Sequence, residues 1–166
     1  AGYALTVSDQ NKLRPHVQNE LGWLYFDGNT TIELDMWYHA AFVYNSANPS
    51  LDLYLNGIHD GSSDNLSGNI QNWTGQLLIG DYHYNEEQRF PGHIDDLTIW
   101  DSALSPDDLH SLILSSPLGG EDGLVGYWDF NDGEGNVLSD LANSNDGAII
   151  NGDWSTDVPD AFGEVH

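Results

Sequence analysis

The sequence predicts an all-β fold, a two-sheet antiparallel sandwich with one short helix, and three observations carry that reading. About ten short runs of alternating or continuous apolar residues are separated by turns rich in Gly, Asn, Asp and Pro. Only one segment combines a helix start signal with apolar spacing at three and four residues. Aromatic residues make up 11% of the 166-residue chain, and most of them fall inside the runs, which supplies enough apolar side chain for a core and argues against disorder.

Taken in order, residues 2–7 (GYALTV) alternate and read as a strand, and residues 9–12 as a turn. Residues 13–17 form a second strand in which Pro15 suits an edge position. Residues 22–26 (GWLYF) are a third strand, closed by a tight turn at Asp27, Gly28 and Asn29. The segment 37–57 is an antiparallel meander: WYHAAFVY at 37–44 is apolar on both faces, while Leu51, Leu53 and Leu55 share one face with Asp52 and Tyr54 on the other. Asn56 and Gly57 supply the positive-φ pair of a further reversal. Residues 58–69 read as a polar loop, 77–80 as a short buried strand, and 81–91 as a polar loop with many aromatic residues.

Residues 92–100 alternate again, with Asp95 and Asp96 on opposite faces of the strand. Carboxylates flanked by apolar neighbours are costly unless paired or bound to a cation. The helix falls within 102–114, with Ser105 as N-cap, Pro106 at the first position, Asp107 and Asp108 in the first turn, and Leu109, Leu112 and Ile113 on one face. Past a loop-like stretch at 115–123, strands are expected at 124–130, 137–140 and 148–151, with turns between them and a frayed tail beyond. Trp23, Trp37, Trp100, Trp128 and Trp154 lie in strand patterns and are expected in the core.

Acidic residues number 27 against 3 Lys and Arg, a net charge of −24. Such a chain repels phosphate backbones and anionic bilayers, so nucleic acid is not expected as a partner. Membrane insertion is not expected either, because no run reaches the roughly 18–20 apolar residues of a span. The acids themselves have two readings, a solvated surface or carboxylates gathered for divalent cations. Cysteine is absent, which removes disulfides and thiolate chemistry and is compatible with an exported bacterial protein. Ala1 in place of Met is what a processed or excised N-terminus would leave.

Five ordered blocks, WYHAAFVY at 37–44, LYLNG at 53–57, LIGD at 78–81, FPGHIDDLTIW at 90–100 and ALS at 103–105, resemble the concanavalin A-like, laminin G-like (pentraxin-like) domain family. The resemblance covers roughly residues 1–114 and implies a jelly-roll of two antiparallel sheets, frequently with bound calcium, used mostly to bind glycans or proteins. On it, residues 1–116 are the main part of the domain and 117–123 a linker. Residues 124–158 resemble the segment that normally opens such a domain, and either complete the same sandwich or start a neighbouring repeat; 159–166 are a tail.

The laminarinase-type hydrolases that share this jelly-roll need two carboxylates about 5–5.5 Å apart for retention. Glu33 and Asp35 begin their strand motif, but Trp37 and Tyr38 stand where its second glutamate belongs, so no catalysis is expected. Calcium is the expected cofactor, since Gly-punctuated acidic loops offer the six to eight oxygens it takes. The resemblance assigns Asp95 from the 92–100 strand, with Asp140, Asn143 and Asn145 from the opener-like loop, and Asp129 and Asp132 in reserve. The plainer alternative is that these are turn and capping residues. For glycan, Trp73, Tyr82 and Tyr84 offer flat faces, with His83 and Arg89 beside them, although Trp73 suits a core position equally. The expected whole is a non-catalytic, calcium-stabilised binding or adhesion module for polysaccharide, in an extracellular or bacterial cell-surface protein with neighbouring repeats as partners. The alternatives are a structural spacer that contacts only protein, and an accessory fragment of a polysaccharide-degrading enzyme.

Overall fold

A computed structural model describes residues 2–64, 68–71, 74–81 and 89–159. The chain divides into two compact units, Ala1–Leu77 with Ala103–Ile113, and Leu78–Ser102 with Leu114–His166. Ten strands and one helix lie among the described residues, all of the strand pairs antiparallel.

In the first unit, β1 (Tyr3–Val7), β2 (Leu13–Asn19) and β3 (Gly22–Tyr25) form one sheet in that order, and β4 (Ala40–Asn45), β5 (Ser50–Leu55) and β6 (Ile58–Ser63) form another. The period of two in β2 buries Leu13, Pro15, Val17 and Asn19 and turns Arg14, His16 and Gln18 the other way. Leu13 packs with Leu53 and Leu55, and Val17 with Leu51, while Leu5, Leu24, Phe26 and Phe42 fill the remaining space. The two sheets thus meet face to face through their apolar sides, the arrangement of a β-sandwich. Val17, Leu51 and Leu53 are 0% exposed. Leu53→Ala should therefore cost about 2–5 kcal/mol of unfolding free energy, read as a lowered denaturant midpoint with an unchanged slope.

Two expectations change here. Pro15 sits in the central strand instead of an edge, and it is tolerated because the β3 ladder begins one residue later, at His16. The polar stretch after Gly57 is strand β6 over its first half. Asn56 (φ 51°) and Gly57 (φ 75°) make the tight reversal, and backbone pairing with β5, bulged between Leu53 and Tyr54, holds a strand that its side chains do not advertise. Asp60 on β6 is buried and accepts hydrogen bonds from the Thr30 N–H (3.0 Å) and hydroxyl (2.6 Å).

The helix α1 (Pro106–Leu114) begins where the sequence placed it. Ser105 Oγ accepts from the Asp108 N–H (3.2 Å), while the Asp108 carboxylate accepts from the Ser105 N–H (3.0 Å) and hydroxyl (2.7 Å). This is a reciprocal capping box with Asp in the role of Glu. Leu109 is its buried residue.

In the second unit, β7 (Leu97–Trp100) pairs with β8 (Leu124–Trp128), and β9 (Val137–Leu138) with β10 (Gly147–Ala148). Leu124, Tyr127, Trp128 and Leu138 are buried. Strand β7 is shorter than the alternation at 92–100 suggests, because Asp96 takes a left-handed φ of 46° and breaks the extended run. Residues 77–80 are not a strand: Leu77 and Leu78 are exposed. In the segment 117–123, the Glu121 carboxylate accepts the Leu118 (2.7 Å) and Gly119 (3.0 Å) N–H groups, so an ordered loop leads into β8. No helix among the described residues is long and apolar enough to cross a membrane.

Candidate functional site

The outer face of the β1–β2–β3 sheet gathers exposed aromatic and titratable side chains of the first unit. In β3 and the residue after it, Leu24 and Phe26 turn into the core, so the period of two sends Trp23 and Tyr25 outward. Their exposures are 50% and 60%, which corrects the expectation that Trp23 is a core residue. Register sets Tyr25 opposite His16 and Trp23 opposite Gln18 on β2. The His16 ring lies 5.4 Å from Tyr25 and, edge-on, 6.4 Å from Trp23. Next along β2, the Arg14 guanidinium sits 5.5 Å above the Tyr25 ring. The result is a row of flat side chains, Arg14, Tyr25, His16 and Trp23, on one sheet face.

The row is held from its edges. Thr6 Oγ1 on β1 hydrogen-bonds His16 Nε2 at 3.1 Å. Arg14 donates two bonds to Asp27, Nε to Oδ1 at 2.7 Å and Nη2 to Oδ2 at 2.9 Å, the bidentate fork of a strong pair. That pair holds the Asp27 carboxyl below its usual range and raises Arg14. Burial, and then the nearby Arg14 charge, push His16 down, so its imidazole is neutral at pH 7.

Of the residues assigned to calcium, Asp140, Asn143 and Asn145 come together in the second unit. Asp140 is buried and its carboxylate takes five donors. Oδ1 accepts the Tyr127 and Ala142 N–H groups, both at 2.9 Å. Oδ2 accepts the Asn143 N–H (3.2 Å), the Asn145 N–H (2.9 Å) and the Asn145 amide (3.0 Å). Asn143 in turn donates to the Leu124 and Val125 carbonyls at 3.0 Å, tying the loop to β8. Burial pushes the Asp140 pKa up, but the donated bonds outweigh it and hold it at about 2. A carboxylate offers about four lone-pair sites, so this one is saturated by N–H groups and does not fit as a calcium ligand.

Asp95 keeps different company. Its carboxyl is raised by burial and by Asp96, with a smaller push from Asp129. Asp96 accepts the Tyr127 hydroxyl at 2.8 Å and the Ser116 hydroxyl at 3.3 Å; burial and the Asp96 contact raise Tyr127 to about 12. Asp96 and Phe130 (φ 54°) both have left-handed backbone at the same end of the β7–β8 pair. Asp132, held in reserve, accepts the Ser139 N–H and hydroxyl. Among the described residues, no three His, Asp or Glu side chains gather as a metal site.

Arg89 lies 3.7 Å from Asp81 across an exposed ion pair. Trp73, Tyr82, His83 and Tyr84 fall outside the described residues. His93 pairs with Asp157 at 3.1 Å. Glu33 and Asp35 lie at an exposed turn, Asp35 with φ 59°, and not on a strand.

A family model of the concanavalin A-like lectin/glucanases superfamily matches residues 1–110. The rat (Rattus norvegicus) sushi, von Willebrand factor type A, EGF and pentraxin domain-containing protein 1 is 30% identical over 110 residues, 58% of this chain and 3% of that one. A solved structure from Bacteroides ovatus ATCC 8483, provisionally assigned as a carbohydrate binding protein, matches with a TM-score of 0.70 at 19% identity, over 88% of this chain and 44% of that one. An S-layer domain-containing protein from Clostridium thermocellum ATCC 27405 matches at a TM-score of 0.44 and 24% identity, over 66% of this chain and 55% of that one. The chain thus spans a small fraction of the curated relative and under half of the Bacteroides structure. With a jelly-roll sandwich fold and a family match that covers residues 1–110, well over half of its length, the chain belongs to the concanavalin A-like lectin/glucanases superfamily, as a laminin G-like member.

Proposed function

We propose that the chain is a non-catalytic binding module for polysaccharide, part of an extracellular or cell-surface protein, and that it binds at the outer face of β1–β2–β3. The observation that carries this reading is the exposure of Trp23 and Tyr25 side by side with His16 on a rigid sheet. Large aromatic rings left in water on a folded face are costly and mark contact surfaces. Flat rings stack on the CH faces of sugars, while the Thr6 and Tyr25 hydroxyls stand near for hydrogen bonds. The Bacteroides ovatus structure and its provisional assignment to carbohydrate binding add support. The exposed turn at Glu33 and Asp35 favours binding over hydrolysis. The test is retention on polysaccharide gels, expected for the natural chain and lost in Trp23→Ala; a panel of gels that retains neither would refute the reading.

Calcium belongs to the same proposal, with its place moved. Asp95 is the remaining candidate ligand: burial and the nearby Asp96 and Asp129 charges raise its carboxyl, and that repulsion is what a hard divalent cation relieves. Melting temperature is therefore expected to rise in millimolar calcium and fall with chelator, and Asp95→Asn to abolish the response. A midpoint indifferent to calcium would remove the ion from the account. The pairing of β8 with β7 supports residues 124–158 as a working part of this repeat.

A further inference from the structure

Resting on that reading of the outer face, we infer that its ligand class is uncharged polysaccharide, and that Asp27 sets this selectivity by holding Arg14. A free arginine on a sugar-binding face would favour uronate or sulfate groups, because its planar fork matches an oxyanion with two parallel bonds. Here one edge of that fork is already filled. Nε and Nη2 both donate to the Asp27 carboxylate, at 2.7 and 2.9 Å, and Asp9 Oδ1 lies 3.8 Å from Nη2. Lys12 also acts on Asp27, so this end of the face sets two cations against two carboxylates.

The rest of the row carries no charge at pH 7. Trp23 and Tyr25 are neutral rings, and His16 is kept neutral by burial and by Arg14. Arg14 lies over Tyr25, where it widens the flat surface while its charge is satisfied by Asp27. Two residues apart on one strand, Trp23 and Tyr25 are spaced by about 7 Å along β3, which suits an extended chain lying along the sheet. The net charge of −24 adds a long-range repulsion against any polyanion.

The experiment is affinity electrophoresis at pH 7 and fixed ionic strength, in gels containing neutral polysaccharides (hydroxyethylcellulose, xyloglucan, galactomannan) or acidic ones (alginate, polygalacturonate). The natural chain is expected to be retarded by at least one neutral gel and by neither acidic one. Asp27→Asn, checked for folding by its melting curve, is expected to gain about fivefold in acidic-gel retention, because Arg14 is released. Trp23-dependent retardation by acidic gels as strong as by neutral ones would overturn the ligand class while leaving the binding face intact. Folded Asp27→Asn with unchanged acidic retention would overturn the role of Asp27. Retardation by no polysaccharide of either kind would overturn the binding face and the inference together.

Discussion

Asp140→Ala is expected to lower the unfolding free energy by about 3 kcal/mol, among the largest effects of any single polar substitution in this chain. The carboxylate is buried and takes five N–H donors from Tyr127, Ala142, Asn143 and Asn145. Its removal strands several of them away from water, at about 1–3 kcal/mol for each group left unsatisfied. The same geometry sets a pH dependence. An ordinary Asp titrates at 3.8 and the folded Asp140 at about 2, so on acidification the unfolded chain takes up the proton first. The stabilisation is fully present above pH 3.8 and is lost as pH falls through 2. It is worth about 2 kcal/mol. Asp140→Asn, which keeps one acceptor, should unfold less readily than Asp140→Ala and lose this part of the acid response. Denaturant titrations of the three proteins between pH 2 and 7 check both points. Equal stability of Asp140→Ala and the natural chain at pH 7 would show that the loop does not depend on this carboxylate.

Trp23→Ala is expected to weaken polysaccharide binding more than tenfold while moving stability by no more than about 1 kcal/mol. A central aromatic at a contact surface commonly carries 2 kcal/mol or more of binding. Trp23 is half exposed and its packing in the folded chain includes an edge-on contact with His16, so little of the fold rests on it. Leu24→Ala is the matching control, because Leu24 packs in the core one residue away. It should lower stability and leave the affinity of the folded fraction unchanged. Calorimetry on both variants separates the two faces of β3; affinity lost in Leu24→Ala and kept in Trp23→Ala would reverse their roles.

Much of the fold was legible in the sequence because its signals are local. The Leu51, Leu53, Leu55 alternation named the inner face of β5, and Ser105 with Pro106 placed the start of α1 to the residue. Strand β6 was not legible, since Ile58, His59, Asp60 and Gly61 are held by a ladder with β5 and not by apolar burial. The alternation at 92–100 misled for the opposite reason: the pattern is present, but the left-handed backbone at Asp96 ends the strand.

The site was harder to read than the fold. Loop aromatics at 73, 82 and 84 point to a site because loops carry function, and Trp23 points to the core because it lies in a strand. A signal was available in GWLYF. Leu24 and Phe26 suffice for the inner face, and a sheet packed on one side must then turn Trp23 and Tyr25 to water. The pairing with His16 and Arg14 could not be read at all, because it depends on the β2–β3 register. The Asp140 loop shows the same limit. The sequence puts Asp140, Asn143 and Asn145 in one loop, but only the geometry reveals that N–H donors fill the Asp140 oxygens the resemblance reserves for calcium.

A titration of isotope-labelled protein with a retained neutral oligosaccharide, followed by amide and indole N–H resonances, puts the binding face to the test. The expected result is a set of shifts on the Trp23 indole and on the backbone amides of residues 14–18 and 22–26, with the β4–β5–β6 sheet unchanged. Shifts confined to residues outside β1, β2 and β3, with the Trp23 indole unmoved at saturation, would contradict it.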